Sequence, residues 1–262
     1  MDLIVDGKKV FAATGGQDFD PGKPALVFLH GAGCDRTTWR LQTRYFAHHG
    51  RAVLAVDLPG HGRSEGKPLA TIPALAEWVV HLLDAAKLKN AALIGHSMGA
   101  LVALHTAATH PDRVWALALL GVAQSMPVHP ELLAAAHAHQ HKCMELMANW
   151  GIGRPLQIGG MKSPGLWLTG EVLRVTEKAA PGSIGIDMAA CAAYADAAAI
   201  AKKVRCPTML VLGALDIMSP PANARGLAEA IEGSATAMIE GAGHFMMVER
   251  PDETLAALKE IV

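Results

Sequence analysis

The sequence contains few aromatic residues, few charged residues and few cysteines. Phe, Trp and Tyr together make up 5% of the chain, and charged residues make up 18%. Because 23 Lys and Arg side chains nearly balance 24 Asp and Glu side chains, with no basic stripe to meet phosphates, we expect no nucleic-acid partner. The four cysteines are scattered without a C-x-x-C pair, so we expect reduced thiols and not a disulfide framework.

Long hydrophobic runs are also missing. No apolar segment approaches the roughly 20 residues that a membrane-spanning helix requires. The N-terminal segment MDLIVDGKKV lacks the basic start, apolar stretch and cleavage site of a secretory signal. We therefore expect a cytoplasmic protein that does not associate with a membrane. Hydrophobic residues still amount to 51% of the 262 positions, which is enough for an ordered globular core.

The order of apolar runs and helical patterns predicts an α/β fold. Asp6-Gly7 between two short apolar segments predicts a two-residue hairpin turn, because both residues tolerate positive φ angles. Further short apolar runs predict six buried strands, at 25–30, 52–58, 91–95, 114–122, 208–212 and 235–239. Helical patterns lie between them, for example at 71–86 and 98–110. We therefore predict a mostly parallel, eight-stranded sheet flanked by helices.

Residues 124–195 interrupt this alternation. They show helical patterns and Gly/Pro loops, but no convincing strand. We predict that they form a helical cap insertion over the edge of the sheet, between a first core segment at 1–123 and a second core segment at 196–262. The sequence carries no indication of the oligomeric state.

The pentapeptide Gly95-His96-Ser97-Met98-Gly99 is the strongest chemical signal, because it has the form G-x-S-x-G between a predicted strand and a predicted helix. The two glycines allow a sharp turn that exposes Ser97 at a helix N-terminus, where negative charge is favoured. A chance match in a glycine-rich chain is the alternative, and the strand and helix on either side disfavour it. Ser97 is therefore predicted to be a nucleophile.

A serine nucleophile needs a base and a group that orients the base. Among thirteen histidines, His244 follows the last predicted strand, and the carboxyl ends of parallel strands meet at the edge where Ser97 lies. Asp216 directly follows the predicted strand at 208–212, whereas residues 119–130 contain no carboxylate. We predict His244 as general base and Asp216 as its partner. Helix capping ahead of Pro220 is a second role open to Asp216.

The order Ser97, Asp216, His244 resembles that of the α/β-hydrolase superfamily. Three further segments match motifs of that family: His30-Gly31-Ala32-Gly33 its H-G-x motif, residues 57–64 its D-x-P-G-x-G-x-S loop, and Cys206-Pro207-Thr208 the usual start of a late strand. The resemblance implies an oxyanion hole formed by the backbone N–H groups of Ala32 and Met98. It implies no catalytic role for Asp57 or His61, and the serine disfavours the family branches that use an aspartate nucleophile.

The insertion is predicted to form one wall of a substrate pocket. It supplies adaptable apolar side chains, namely Met126, Met144, Met147, Trp150, Met161, Trp167 and Met188. The candidate pocket residues over the whole chain are Gly31, Cys34, Trp39, His96, Met126, Met147, Met218 and Phe245. The alternative role of the methionines is to bury the insertion against the core. The alternative role of Cys34 and Trp39 is packing within the core.

Two other patterns predict no site. On a helix, only His137 and His141 of the run His137-x-His139-x-His141 share a face, and no cysteine or carboxylate completes a metal set, so we expect no metal. Residues 151–155 lack the complete G-x-G-x-x-G of a nucleotide site, and we expect no cofactor.

The predicted function is hydrolysis of a small or medium hydrophobic carboxylic ester through an acyl-enzyme. The same triad would also serve a C–C bond hydrolase acting on a diketone-type substrate, or a thioesterase, lactonase or perhydrolase. A non-catalytic receptor on the same scaffold is the alternative outside enzymes. In each case the expected partner is a small molecule.

Overall fold

A central sheet carries the fold in the computed structural model, which describes residues 1–160, 165–195 and 197–262. Within these residues the strands are β1 (Asp2–Val5), β2 (Lys8–Ala13), β3 (Ala25–Leu29), β4 (Ala52–Val56), β5 (Ala91–His96), β6 (Val114–Leu120), β7 (Thr208–Gly213) and β8 (Ala235–Ile239). They form one eight-stranded sheet in the order β1-β2-β4-β3-β5-β6-β7-β8. The strands β4, β3, β5, β6, β7 and β8 are parallel, whereas β1 and β2 pair antiparallel at one edge. The predicted mostly parallel sheet is confirmed.

Helices occupy the connections between the strands. Those described are α1 (Arg40–His48), α2 (Ile72–Ala85), α3 (Met98–Thr109), α4 (Pro130–His137), α5 (His141–Gly151), α6 (Arg154–Ile158), α7 (Leu168–Glu177), α8 (Ser183–Ala193), α9 (Ala197–Ala201), α10 (Arg225–Ala230), α11 (Met246–Glu249) and α12 (Pro251–Lys259). Short 3-10 helices span Arg36–Trp39, Pro111–Arg113 and Pro221–Ala224. Over the described ranges, none of these helices is both long and apolar enough to cross a membrane.

Burial on both faces explains the continuous apolar runs of the central strands. Every residue of β3 through β5 and of β7 is buried. In β3, Val27 and Leu29 face the apolar layer shared with α2 and α3, whereas Leu26 and Phe28 face the layer shared with α1, α11 and α12. A strand covered on both faces needs apolar residues at every position, and this is why period-2 alternation is absent here.

The hairpin at the N-terminus forms as the sequence predicts. Val5 pairs with Lys8, so Asp6 and Gly7 are the two turn residues. Their φ angles are 50° and 72°, the left-handed region that a two-residue hairpin turn requires.

The segment at residues 124–195, called the insertion below, lies between β6 and α9 and contains α4 to α8. It has a small apolar cluster of its own, formed by Leu132, Ala135, Ala136, Cys143, Met144, Met147, Ile184 and Met188. Arg40 on the core side forms an ion pair with Glu171 of α7. Of the apolar residues predicted for the insertion wall, Met144 is buried in this cluster and Trp167 is 67% exposed. Met161 lies outside the described residues.

Candidate active site

A strained turn between β5 and α3 carries Ser97. Its φ of 54° is unusual for a residue with a side chain, and its backbone N–H donates to the Leu120 carbonyl over 2.8 Å. A Cβ on Gly95 would overlap the Gly99 carbonyl, and a Cβ on Gly99 would overlap the Leu29 carbonyl. Both glycines are therefore required by the close approach of backbone to backbone, which lets the turn place Ser97 at the N-terminus of α3.

His244 and Asp216 form a buried pair after the last two strands. The Nδ1 atom of His244 lies 2.8 Å from Oδ2 of Asp216, and both side chains are almost fully buried. The other oxygen of Asp216, Oδ1, accepts the N–H groups of Met218 and Ser219, each over 2.8 Å. Asp216 therefore stabilises its own turn and also holds the imidazole in place. It does not cap the following 3-10 helix, Pro221–Ala224, because Pro220 is the N-cap of that helix and no described side chain bonds to its first turn.

The imidazole of His244 faces the cavity that also contains Ser97. Because Nδ1 of His244 donates to a carboxylate, Nε2 is the nitrogen free to accept a proton. This Nε2 atom is buried and forms no hydrogen bond within the described residues, and no bond to Ser97 is present. A nucleophile–base contact is often loose without substrate and shortens when substrate binds.

The loop after β3 passes directly beside Ser97. A Cβ on Gly31 would lie 3.2 Å from Cβ of Ser97 and 2.9 Å from Nδ1 of His96, so only glycine fits. The Cys34 N–H donates to the Gly31 carbonyl over 3.1 Å, which closes a turn with Ala32 and Gly33 at its centre. The donor of this turn bond is the Cys34 N–H, so the turn does not use the Ala32 N–H. Met98 is the first residue of α3, and an α-helix leaves its first N–H groups without intrahelical partners.

His96 holds the backbone of the loop that carries His244, between β8 and α11. Its Nε2–H donates to the His244 carbonyl over 2.9 Å, and the two rings lie 4.7 Å apart. Burial, followed by the neighbouring His244 ring, lowers the pKa of His96 well below its usual range. A neutral His96 adds no positive charge beside the imidazolium that His244 would form during catalysis.

Glu249 stabilises the same loop from the other side. Its carboxylate is 1% exposed and accepts three backbone N–H groups, from Gly153 and Gly243 over 2.8 Å and from Phe245 over 3.0 Å. Burial raises the pKa of Glu249, and the three N–H donors and His244 oppose that shift. The His244 N–H also donates to the Gly151 carbonyl over 2.7 Å. The insertion is thus bonded directly to the backbone of His244, and through Glu249 to Gly243 and Phe245 on either side of it.

The cavity has a volume of about 320 Å³ and an apolar wall. Seven of the eight predicted pocket residues line it: Gly31, Cys34, His96, Met126, Met147, Met218 and Phe245. The prediction for Trp39 is wrong. Its side chain is fully buried in the apolar core, with its ring 5.2 Å from that of Phe28, because the 3-10 helix at Arg36–Trp39 turns it towards the core.

Further lining residues were not predicted from the sequence, among them Leu132, Cys191, Ile217 and Ser219. Leu132 and Cys191 lie on helices and Ile217 and Ser219 on the loop after β7, and at none of these positions does the residue type separate a pocket wall from the core. None of the lining residues that the structure describes is Asp, Glu, Lys or Arg. The cavity therefore suits an uncharged, apolar group.

Neither Cys34 nor the histidine run at 137–141 forms a second reactive or metal-binding site among the described residues. Burial raises the pKa of the Cys34 thiol to about 12, so it stays protonated near neutral pH and is a poor nucleophile. His141 is exposed and bonds to Glu145 and Glu177. Across the described part of the chain, no cluster of three His, Cys, Asp or Glu side chains could hold a metal ion.

The family model described as the alpha/beta hydrolase family matches residues 26–258. The chain belongs to this family, as its motifs and their order predict. A pimeloyl-(acyl-carrier protein) methyl ester esterase of Chromobacterium violaceum is 31% identical over 251 residues, covering 90% of this chain and 93% of the relative. A second esterase with that name, from Aromatoleum aromaticum, is 28% identical, covering 92% of this chain and 98% of the relative.

Solved structures show the same fold over almost the full chain. An enol-lactonase from Burkholderia xenovorans superimposes with a TM-score of 0.85 and 24% identity, covering 99% of this chain and 98% of that one. A thermophilic esterase from Thermogutta terrifontis gives a TM-score of 0.82 and 22% identity, covering 99% and 96%. Family membership and the esterase relatives support a hydrolase.

Proposed function

We propose that this protein is a serine hydrolase that cleaves a carboxylic ester with a small or medium apolar acyl or alcohol group. The observation that carries the proposal is the buried His244–Asp216 pair, in which Nε2 of His244 forms no hydrogen bond among the described residues and the imidazole lines the cavity together with Ser97. The esterase relatives support an ester as the bond that is cleaved.

In the proposed reaction, Nε2 of His244 takes the Ser97 proton as Oγ attacks the ester carbonyl carbon. The carbonyl π electrons move to oxygen, and the N–H groups of Ala32 and Met98 stabilise that oxyanion. Collapse of the intermediate expels the alkoxide, which receives the proton from His244. Water, deprotonated by the same nitrogen, then attacks the acyl carbon. The bond from that carbon to Ser97 Oγ breaks, Oγ takes the proton back from His244, and the carboxylic acid is released. Asp216 stabilises the imidazolium in both half-reactions.

The insertion is proposed to act as a cap that sets the size of the substrate. Met147 is 3% exposed and lines the cavity from α5. Flexible thioether side chains adapt to irregular apolar groups. The absence of a charged lining residue in the described structure disfavours substrates that need a cation to hold a free carboxylate. Enlarging the side chain at Met147 should therefore exclude longer acyl chains before shorter ones.

The experiment measures kcat and KM for p-nitrophenyl acetate, butyrate and octanoate with wild type, Ser97→Ala and Met147→Trp. Ser97→Ala should lower kcat by about 10⁴-fold or more. Met147→Trp should raise KM for the octanoate by about 10-fold and leave the acetate within about threefold. Ser234→Ala, which loses a hydroxyl that bonds to the Ala228 carbonyl, is the matched control. Wild-type turnover by Ser97→Ala would disprove the proposal.

A further inference from the structure

One carboxylate of the insertion reaches the loop that follows β3. Asp187 lies in the middle of α8, is 1% exposed, and is the one charged residue of that helix. Its Oδ2 atom accepts the Gly33 N–H over 2.8 Å and lies 2.8 Å from Nε2 of His61. These contacts join three segments that are far apart in the sequence: the loop after β3, the loop after β4 and the insertion.

The hydrogen-bond partners of His61 favour its positively charged form. Its Nδ1 atom lies 3.0 Å from the Pro59 carbonyl and its Nε2 atom faces the Asp187 carboxylate, so both ring nitrogens face acceptors. Only the imidazolium has two N–H groups to donate. Burial lowers the pKa of His61, but Asp187, the Pro59 carbonyl and Asp57 together raise it above its usual value. The pair is therefore an ion pair in the protein interior.

The adjacent His30 is neutral. Its ring lies 5.0 Å from that of His61. The Nδ1–H of His30 donates to the Gly31 carbonyl over 2.8 Å, and its Nε2 accepts the Leu58 N–H over 3.1 Å, so one proton satisfies both contacts. Burial and the neighbouring His61 lower the pKa of His30 to about 4. A single charge, on His61, faces Asp187.

These bonds fix both sides of Ala32. On one side the Gly31 carbonyl accepts from His30 and from the Cys34 N–H, which belong to the core. On the other side the Gly33 N–H is held by Asp187. Ile184, nearly one turn earlier on α8, packs so closely on Gly33 that a Cβ there would lie 2.7 Å from its Cγ1. The direction of the Ala32 N–H is thus set partly by the insertion.

We propose that Asp187 is a positioning residue that, through Gly33 and the charge on His61, aims the Ala32 N–H at the oxyanion. This inference rests on the proposed function, since it assigns Asp187 a role in that reaction. The insertion then contributes to the chemical step as well as to the shape of the cavity. An oxyanion donor acts most strongly in the transition state, so loss of Asp187 lowers kcat and leaves KM nearly unchanged.

A purely structural link between insertion and core makes a different prediction. Such a link would change the thermal midpoint or KM, because the insertion lines the cavity, and would leave kcat intact. The kcat-against-KM split therefore separates the two roles.

The test compares Asp187→Ala and Asp187→Asn with wild type in ester hydrolysis, thermal melting and the rate of Ser97 labelling by a fluorophosphonate. Asp187→Ala should lower kcat by about 10- to 100-fold with KM within about threefold, because small displacements of catalytic groups have effects of this size. Asp187→Asn keeps an oxygen for the Gly33 N–H, so it should recover part of the loss and remain about 3- to 10-fold below wild type. Labelling should slow in parallel, since the phosphonyl oxygen occupies the same hole.

Ser183→Ala is the matched control on α8. The buried Ser183 hydroxyl donates to the Ala180 carbonyl, whereas Asp187 accepts the Gly33 N–H, so loss of the hydroxyl should lower the thermal midpoint without lowering kcat. Wild-type kcat in Asp187→Ala, or an equal kcat loss in Ser183→Ala, would overturn the proposal. If Asp187→Ala does not fold, kcat of Asp187→Asn decides in the same way. A wild type that neither hydrolyses esters nor labels at Ser97 would instead contradict the proposed function itself.

Discussion

Replacing Asp216 with asparagine should leave the fold intact and remove almost all turnover. In the structure, Oδ1 of Asp216 accepts two N–H groups, from Met218 and Ser219, whereas Oδ2 faces Nδ1 of His244. Asparagine has one oxygen, and the two N–H donors hold it in the Oδ1 position. Its NH2 group must then face Nδ1 of His244. Two N–H donors cannot face each other, so Nδ1 of His244 cannot keep its proton.

The imidazole is therefore expected to shift its proton to Nε2, so that Nδ1 accepts from the new amide. In this tautomer Nε2 cannot take the Ser97 proton. The same change of tautomer in serine-protease triads lowers kcat by about 10⁴-fold, or about 5.5 kcal/mol in the barrier. The assay is kcat on a p-nitrophenyl ester with a thermal melt of each variant. Asp18→Asn, at an exposed carboxylate, is the control. A folded Asp216→Asn that keeps kcat within tenfold of wild type would refute the tautomer argument.

Three further predictions follow from buried groups. Glu249→Gln leaves one oxygen for three N–H donors, so kcat should fall about 10-fold and stability by about 1–3 kcal/mol, and unchanged kinetics and melting would contradict this. The pKa of His61 is raised in the folded state. Its pairing with Asp187 therefore stabilises the fold fully below the unfolded-state pKa of about 6.5, and this stabilisation is lost as pH rises through the folded-state pKa. The difference in unfolding free energy between wild type and Asp187→Asn should therefore shrink from pH 6 towards pH 9, and growth over that range would refute the ion pair. Cys34 has a raised pKa and is buried, so N-ethylmaleimide at pH 7 should leave activity intact, and rapid inactivation through this residue would contradict that assignment.

The elements that local chemistry specifies were predictable from the sequence. Asp6-Gly7 has the positive φ angles that its turn requires, and the glycines at 95 and 99 avoid backbone overlap beside Ser97. Such features depend on a few neighbouring residues, and so does the placement of His244 after β8. Ser97 and His244 lie at the same edge of the sheet because both follow the carboxyl ends of parallel strands.

The contacts that position the site were not predictable in the same way. His61 and Asp187 are separated by 126 residues, and their bond depends on how α8 packs over the loops of the core. The sequence does offer a signal for Asp187, because a single carboxylate in the apolar helix SIGIDMAACAA must find a buried partner. It does not show which partner. Trp39 illustrates the converse, since a large apolar side chain near a site carries no information about which way it points.

The proposed chemistry depends on an activated hydroxyl at Ser97, and covalent labelling with a fluorophosphonate tests this most directly. Intact-mass measurement should show one adduct on wild type, mapped by peptide digestion to Ser97. Labelling should be absent in Ser97→Ala and slowed by about 10³-fold or more in folded His244→Ala. A folded wild type that remains unlabelled, or labelling that is equally fast without His244, would contradict the account.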